Sequence, residues 1–274
     1  MGDMLNKITA LLLGVLLLFA TAAHAEQPHC PRIVSQAPYL TKTLQWLGLE
    51  QCIIGVSRYD TLDLPHTGGL LDPDADAISV LRPDLVITSN WTSAENAAKL
   101  SSHETRVLRL DGFVSMAQVE DNLRQIGNAV GMRDIDERVA QFHQQWKTAA
   151  HQIKGGGKHV LLLSSCSGSG YSFGKERWLS DLFTAAGFIN VETEPKIRTI
   201  NPSEEIPTLN ALIDQLHPDL LFIFERNLTP QCALIKPKRP IRIITLDGEK
   251  FLHPAPVVLE GLKELAQHQN EWSQ

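Results

Sequence analysis

RDIDERVAQFHQQWKTAAHQIK, residues 133–154, decides how the rest of the chain is read. Its large apolar side chains fall at Ile135, Val139, Phe142, Trp146, Ala149 and Ile153, three or four apart throughout. That spacing predicts an amphipathic helix. Gly131 precedes it, and Gly155-Gly156-Gly157 stops it. At the rise of an α-helix it would run about 33 Å, the width of a small domain. A helix of that length in mid-chain reads as a rigid spacer between two domains.

The stretches on either side carry one pattern. Leu81-Arg82-Pro83-Asp84-Leu85-Val86-Ile87 comes before the helix, and Leu216-His217-Pro218-Asp219-Leu220-Leu221-Phe222 comes after it. Each reads as a helix end, a Pro-Asp turn and a buried strand. Two lobes of related α/β design follow, and such proteins use the groove between the lobes.

The 274 residues are 43% hydrophobic and 20% charged, enough for two modest domains. The net charge of −6 has no long run of one sign, which argues against a nucleic-acid partner. Lys7, an apolar run from Ile8 to Ala20, and Ala23-His24-Ala25 read as a secretory signal peptide cut after Ala25. The run falls short of the ~20 residues of a membrane span. The expected address is the periplasm.

Four cysteines remain after that cut: Cys30, Cys52, Cys166 and Cys232. None form a CxxC, so a structural zinc site is not expected. Cys30 precedes the strand Arg32 to Ser35, and Cys52 opens the strand Cys52 to Val56. If the strands are parallel neighbours, both sulfurs share an edge, and a Cys30–Cys52 disulfide is predicted. Cys166 and Cys232 each follow a strand and could also pair; free buried thiols are the alternative.

Ile33-Val34-Ser35, a helix from Leu40 to Leu47 and Ile53-Ile54-Gly55-Val56 form a βαβ unit with parallel strands. The loop from Ser57 to Asp72 carries Arg58, Tyr59 and His66. Further strands are expected at 85–88, 106–110, 159–164, 189–191, 220–224 and 241–246. Helices are expected at 74–81, 94–100, 115–130, 176–186, 204–216 and 257–268. Tyr171 and Phe173 fall in a predicted loop. Such alternation implies parallel sheets covered on both faces, with ligands beyond the carboxyl ends of the strands.

Three stretches then stand out in order: Pro31-Arg32-Ile33-Val34-Ser35-Gln36-Ala37-Pro38, Ile54-Gly55-Val56-Ser57-Arg58-Tyr59-Asp60 and Leu81-Arg82-Pro83-Asp84-Leu85-Val86-Ile87. With Tyr171-Ser172-Phe173-Gly174-Lys175-Glu176, the chain resembles the periplasmic substrate-binding proteins of ABC importers for cobalamin and ferric siderophores. The resemblance implies two Rossmann-like lobes with central parallel sheets, joined by one long backbone α-helix, with the ligand cleft between the lobes. The lobes would be 26–132 and 155–274, with the connecting helix at 133–154. It also implies a monomer with no catalytic residues and no resident metal or cofactor, which delivers a metal chelate to an inner-membrane permease with little hinge motion. Asp76 matches the family's docking carboxylate in the first lobe. Ala211 stands at the second-lobe position, where Glu204 or Glu205 would substitute.

The candidate ligand contacts are Tyr59, Arg58, His66, Asn90, Trp91, Tyr171, Phe173, Arg226, Phe251 and His253. Aromatic faces suit flat chelates. His66 and His253 could reach an open axial position on a metal centre, though a solvated loop histidine is the commoner case. Arg58, Arg226 and Arg198 suit acidic groups on a chelate. The serine–glycine turn near Cys166 lacks the lysine ending of a phosphate loop. A corrinoid is favoured by the Ser57-Arg58-Tyr59 loop and the Gly174-Lys175-Glu176 turn, with a ferric siderophore or haem as the alternative. A bare-metal binder and a metal-dependent enzyme on a two-lobed scaffold are the readings from other classes. No nucleophile elbow or metal-hydrolase motif supports the enzyme.

Overall fold

The computed structural model describes residues 30–111, 113–164, 170–200, 208–226 and 237–273. The first sheet is built from β1 (Ile33–Ser35), β2 (Ile53–Val56), β3 (Leu85–Ser89) and β4 (Arg106–Leu110). Its order is β2-β1-β3-β4 and every pairing is parallel. Helices α1 (Pro38–Trp46), α2 (Ala75–Leu81), α3 (Ala94–Leu100) and α4 (Met116–Ala129) connect the strands. Covering both faces explains the unbroken apolar strands: Ile33, Val34, Val86 and Ile87 are all fully buried. The helix starts are chemically marked. Pro38 opens α1, where its missing N–H costs nothing. Asp74, Ser93 and Ser115 each accept a backbone N–H as caps of α2, α3 and α4.

The long helix α5 runs Ile135–Gln152, two residues inside each predicted end. Ile135, Val139, Phe142, Trp146 and Ala150 form its buried stripe, with Ala150 in place of the expected Ala149. This helix is no bare spacer. It packs against α4 on the first side and against α6 (Trp178–Ala185) and α9 (Val258–Gln267) on the second. Phe142 is fully buried and meets Trp46 of α1 edge-on, ring centroids 5.8 Å apart. Trp146 donates its indole N–H to Glu120 of α4 at 2.6 Å. Residues Pro31–Gln274 accordingly form one compact unit.

The second sheet contains β5 (His159–Ser164), β6 (Gly170–Phe173), β7 (Ile189–Asn190), β8 (Ile197–Ile200), β9 (Leu220–Glu225) and β10 (Arg242–Asp247). Its order is β10-β9-β5-β6-β8, with β7 also on β5. Strands β7, β9 and β10 run parallel to β5's direction, but β6 is antiparallel to both β5 and β8. The expected all-parallel sheet is therefore corrected to a mixed one. The predicted loop at Tyr171 and Phe173 is strand β6, and β8 was not foreseen. Gly174 makes this possible: a Cβ there would collide with the Lys196 carbonyl oxygen. Helices α7 (Leu209–Leu216) and α8 (Gly248–Phe251) complete the half. The predicted residues 204–207 of α7 lie outside the described residues.

The two Pro-Asp turns share one geometry. Arg82 and His217 both take left-handed φ values, 46° and 48°. Asp84 accepts the Arg32 N–H through its carboxylate at 2.7 Å, and Asp219 accepts the His159 N–H at 2.7 Å. Each aspartate thereby stitches a crossover to the start of the neighbouring strand.

Cys52 closes a short 3₁₀ turn, Glu50–Cys52, just ahead of β2 rather than inside it. The Cys30–Cys52 disulfide is present. Cys166, Cys232 and the signal-peptide segment lie outside the described residues. Among the described residues no helix is long and apolar enough to cross a membrane.

Candidate functional site

The carboxyl ends of the strands open into one cavity of about 680 Å³, within the size range of small-molecule sites. Gln36 and Tyr39 reach it from the turn between β1 and α1. Arg58, Tyr59 and Leu71 come from the loop after β2, Trp91 from the loop after β3 and Phe113 from the loop after β4. Across from them stand Tyr171 and Phe173 of β6, Arg177 and Trp178 at the start of α6, and Ile197 of β8. Arg226 and His253 follow β9 and α8. Arrangement beyond parallel strand ends is the usual placement of a ligand crevice.

The walls are largely rings. Tyr39 packs edge-on to Phe113 at 4.9 Å, and Tyr171 edge-on to Phe173 at 5.4 Å. The rim is apolar and open: Tyr59 is 64% exposed, Leu71 71%, Trp91 51% and Ile197 40%. Exposed apolar side chains grouped around one opening mark a binding surface.

Charge enters through three arginines. Arg58 pairs with Asp72 at 2.8 Å and lies 5.9 Å above the Tyr59 ring. Arg226 pairs with Glu249 at 2.6 Å. Arg177 makes no ion pair among the described residues, and its Nε is buried without an acceptor. Burial draws its pKa below the ordinary guanidinium value, with Glu176 opposing.

In the cavity wall His253 is buried, and Nε2 lies 3.0 Å from Glu249. Burial holds its pKa below the usual histidine value. It is therefore neutral at pH 7 and donates Nε2–H to the carboxylate. That hydrogen bond, with the Arg226 guanidinium, draws Glu249 down to about 2. Lys42 of α1 lies 3.8 Å from the same carboxylate. Asp60 accepts from Thr41 at 2.7 Å, and burial raises its pKa.

The structure brings together Arg58, Tyr59, Trp91, Tyr171, Phe173, Arg226 and His253 of the predicted contacts. Three others do not line the cavity. Phe251 is fully buried under Gly261, beside Phe224 and Phe183, because the one-turn helix α8 carries its ring into the core. His66 is exposed, pairs with Val56 in a strand-like bridge, and is not among the lining residues. Asn90 is exposed, and its carbonyl accepts from Arg109. Arg198 also serves structure instead: it grips the buried Glu192 carboxylate at 2.8 Å. Sequence reading missed Gln36, Tyr39, Arg177 and Phe113. Arg177 fell inside the helix expected at 176–186; it is instead the extended residue just ahead of α6, φ −130° and ψ 140°. Asp76 is exposed in the first turn of α2. Glu204 and Glu205 lie outside the described residues. Among the described residues, no three His, Cys, Asp or Glu side chains converge to hold a metal ion.

The profile of a family described as periplasmic binding protein matches residues 34–236, well over half of the chain. The chain belongs to that family. Solved structures agree on its fold. The periplasmic haem-binding protein RhuT from Roseiflexus sp. RS-1 aligns with a TM-score of 0.71 at 22% identity, covering 89% of this chain and 99% of that one. The periplasmic haem-binding protein HutB of Vibrio cholerae gives 0.70 at 18%, covering 89% and 100%. The vitamin B12 binding protein BtuF of Vibrio cholerae gives 0.64 at 19%, covering 89% and 98%. No curated protein sequence matches the chain. Within this family the two sheets described above are the two lobes, and α5 is the helix joining them.

Proposed function

We propose that this protein captures a bulky metal chelate in the periplasm and delivers it to an inner-membrane ABC importer, without catalysing a reaction. The cavity carries the reading. It is walled by rings from both lobes, rimmed by open apolar side chains, and holds three guanidinium groups. A hydrated bare ion has no use for such walls. A large, partly aromatic complex does.

The lean towards a corrinoid is not kept. Similar structures bind haem or vitamin B12 at close TM-scores, so corrinoid, haem and ferric siderophore stand on an equal footing as cargo. Export through a cleaved leader, the division at 26–132, 133–154 and 155–274, and docking through Asp76 belong to the same proposal. Burial of the α5 stripe by both lobes favours a cavity that closes only slightly on its cargo.

Titration of the tryptophan emission with haemin, cobalamin, a ferric siderophore and Zn²⁺ tests the reading. Saturable one-to-one binding of a chelate supports it. Binding of Zn²⁺ alone, or of none of the four, rejects it.

A further inference from the structure

Buried polar atoms without partners are few in folded proteins, and each asks for a cause. Among the described residues, the side-chain atoms in this state are Gln36 Oε1, Tyr39 Oη, Asn122 Oδ1 and Arg177 Nε. All but Asn122 belong to residues that line the cavity described above. The polar needs of the interior are thus concentrated where a cargo would sit.

Each atom states what it lacks. Gln36 is fully buried, and its amide orientation is fixed by a neighbour. The Thr67 hydroxyl donates to the Val56 carbonyl at 3.0 Å, so it can only accept from Gln36, whose Nε2 lies 2.7 Å away. Oε1 is left as a lone acceptor. Tyr39 keeps a buried hydroxyl, and burial raises its pKa; nearby Ser89 opposes that rise, but the geometry completes no hydrogen bond. Arg177 keeps a buried N–H and a full positive charge. Arg58 and Arg226 have their carboxylates, whereas Glu176, beside Arg177, is exposed and makes no ion pair with it. Tyr39 and Arg177 come from different lobes but meet at Phe113. Tyr39 stacks edge-on against that ring, and the Phe113 carbonyl accepts the N–H of Trp178, the residue after Arg177.

We infer that Arg177 receives an acidic group of the cargo: the cavity takes a chelate bearing a carboxylate, phosphate or phenolate oxygen, and disfavours an uncharged chelate of the same shape. A guanidinium presents parallel N–H donors that match such groups in pairs. The Tyr39 hydroxyl offers a further donor, and Gln36 Oε1 asks the cargo for an N–H or O–H. This inference rests on the chelate reading above.

A matched pair of probes tests it on the unaltered protein: haemin, with two free carboxylates, against its dimethyl ester, which keeps the ring and iron. A ferric tricatecholate against a neutral ferric trihydroxamate gives a second pair. The acidic member should bind at least tenfold more tightly. Arg177→Gln should erase most of that ratio, and Arg177→Lys should restore part of it, with melting temperatures confirming that both variants fold. Equal affinity within the bound pair, or preference for the neutral member, overturns the inference whether or not the variants fold. Failure of every probe to bind overturns the chelate reading itself.

Discussion

Leu81–Leu85 and Leu216–Leu220 make the same turn twice, yet they feed different sheets. Both turns place a non-glycine residue in the left-handed region, and both hold an aspartate carboxylate 2.7 Å from a backbone N–H at the head of the adjoining strand. The first sheet stays four-stranded and parallel, while the second gains the reversed strand β6 and, paired antiparallel to it, β8. The repeated part builds the frame. The unrepeated part supplies Tyr171, Phe173 and Ile197 to the cavity, with Arg177 following directly. One wall of the cavity is made of loops after parallel strands, and the facing wall is made of strand and helix start. Recognition is asymmetric although the scaffold is not.

The largest test strikes what the two lobes share. Phe142→Ala removes a fully buried ring at the seam with Trp46 and should cost about 3–5 kcal/mol. Urea unfolding of the wild type should show one transition, and the variant should move its midpoint. Two separate transitions would break the claim of a common core. Next comes the unrepeated hairpin. Gly174→Ala drives a methyl into the Lys196 carbonyl and should cost roughly 1–3 kcal/mol, the range for overpacking. It should also weaken chelate binding, since Ile197 would move. Unchanged binding would detach the hairpin from recognition. The twin turns should respond alike: Asp84→Ala and Asp219→Ala should each cost about 1 kcal/mol in thermal melts. Asp84 should sit at the upper end, being half-buried where Asp219 is exposed.

The smallest effect is the pH dependence of the His253–Glu249 pair. His253 has its pKa lowered from 6.5, and Glu249 has its pKa lowered from 4.5 to about 2. Both stabilise fully above their unfolded values, and both lose that contribution as protons bind on acidification. Stability should hold from pH 8 to 7, decline below 6.5 and fall again below 4.5. His253→Gln should flatten the upper step and shrink the lower one, since the His253 hydrogen bond helps to hold Glu249 down; an unaltered upper step in that variant would refute the assignment.

Much of the frame was legible in the residues. The stripe on α5 could be read because its spacing is long and ends in glycine, and the Pro-Asp turns could be read because each combines a helix stop with an apolar run. Strands β6 and β8 were not legible: each has four residues, and their pairing depends on the close approach at Gly174, which no local pattern announces. Phe251 looked like a loop aromatic because a helix of four residues leaves no periodicity to detect. His66 followed the correct strand, but it is held in a bridge to Val56 and does not line the cavity. Arg177 was hidden by its position, since a helix cap and a helix surface read alike in sequence.

Tyr59, Leu71, Trp91 and Ile197 are exposed around the mouth of the cavity. Such a mouth is stickiest when vacant, so the unloaded protein should self-associate more readily than the loaded one. Cargo would then act as its own solubilising agent, and light scattering at high protein concentration should fall as the cavity fills.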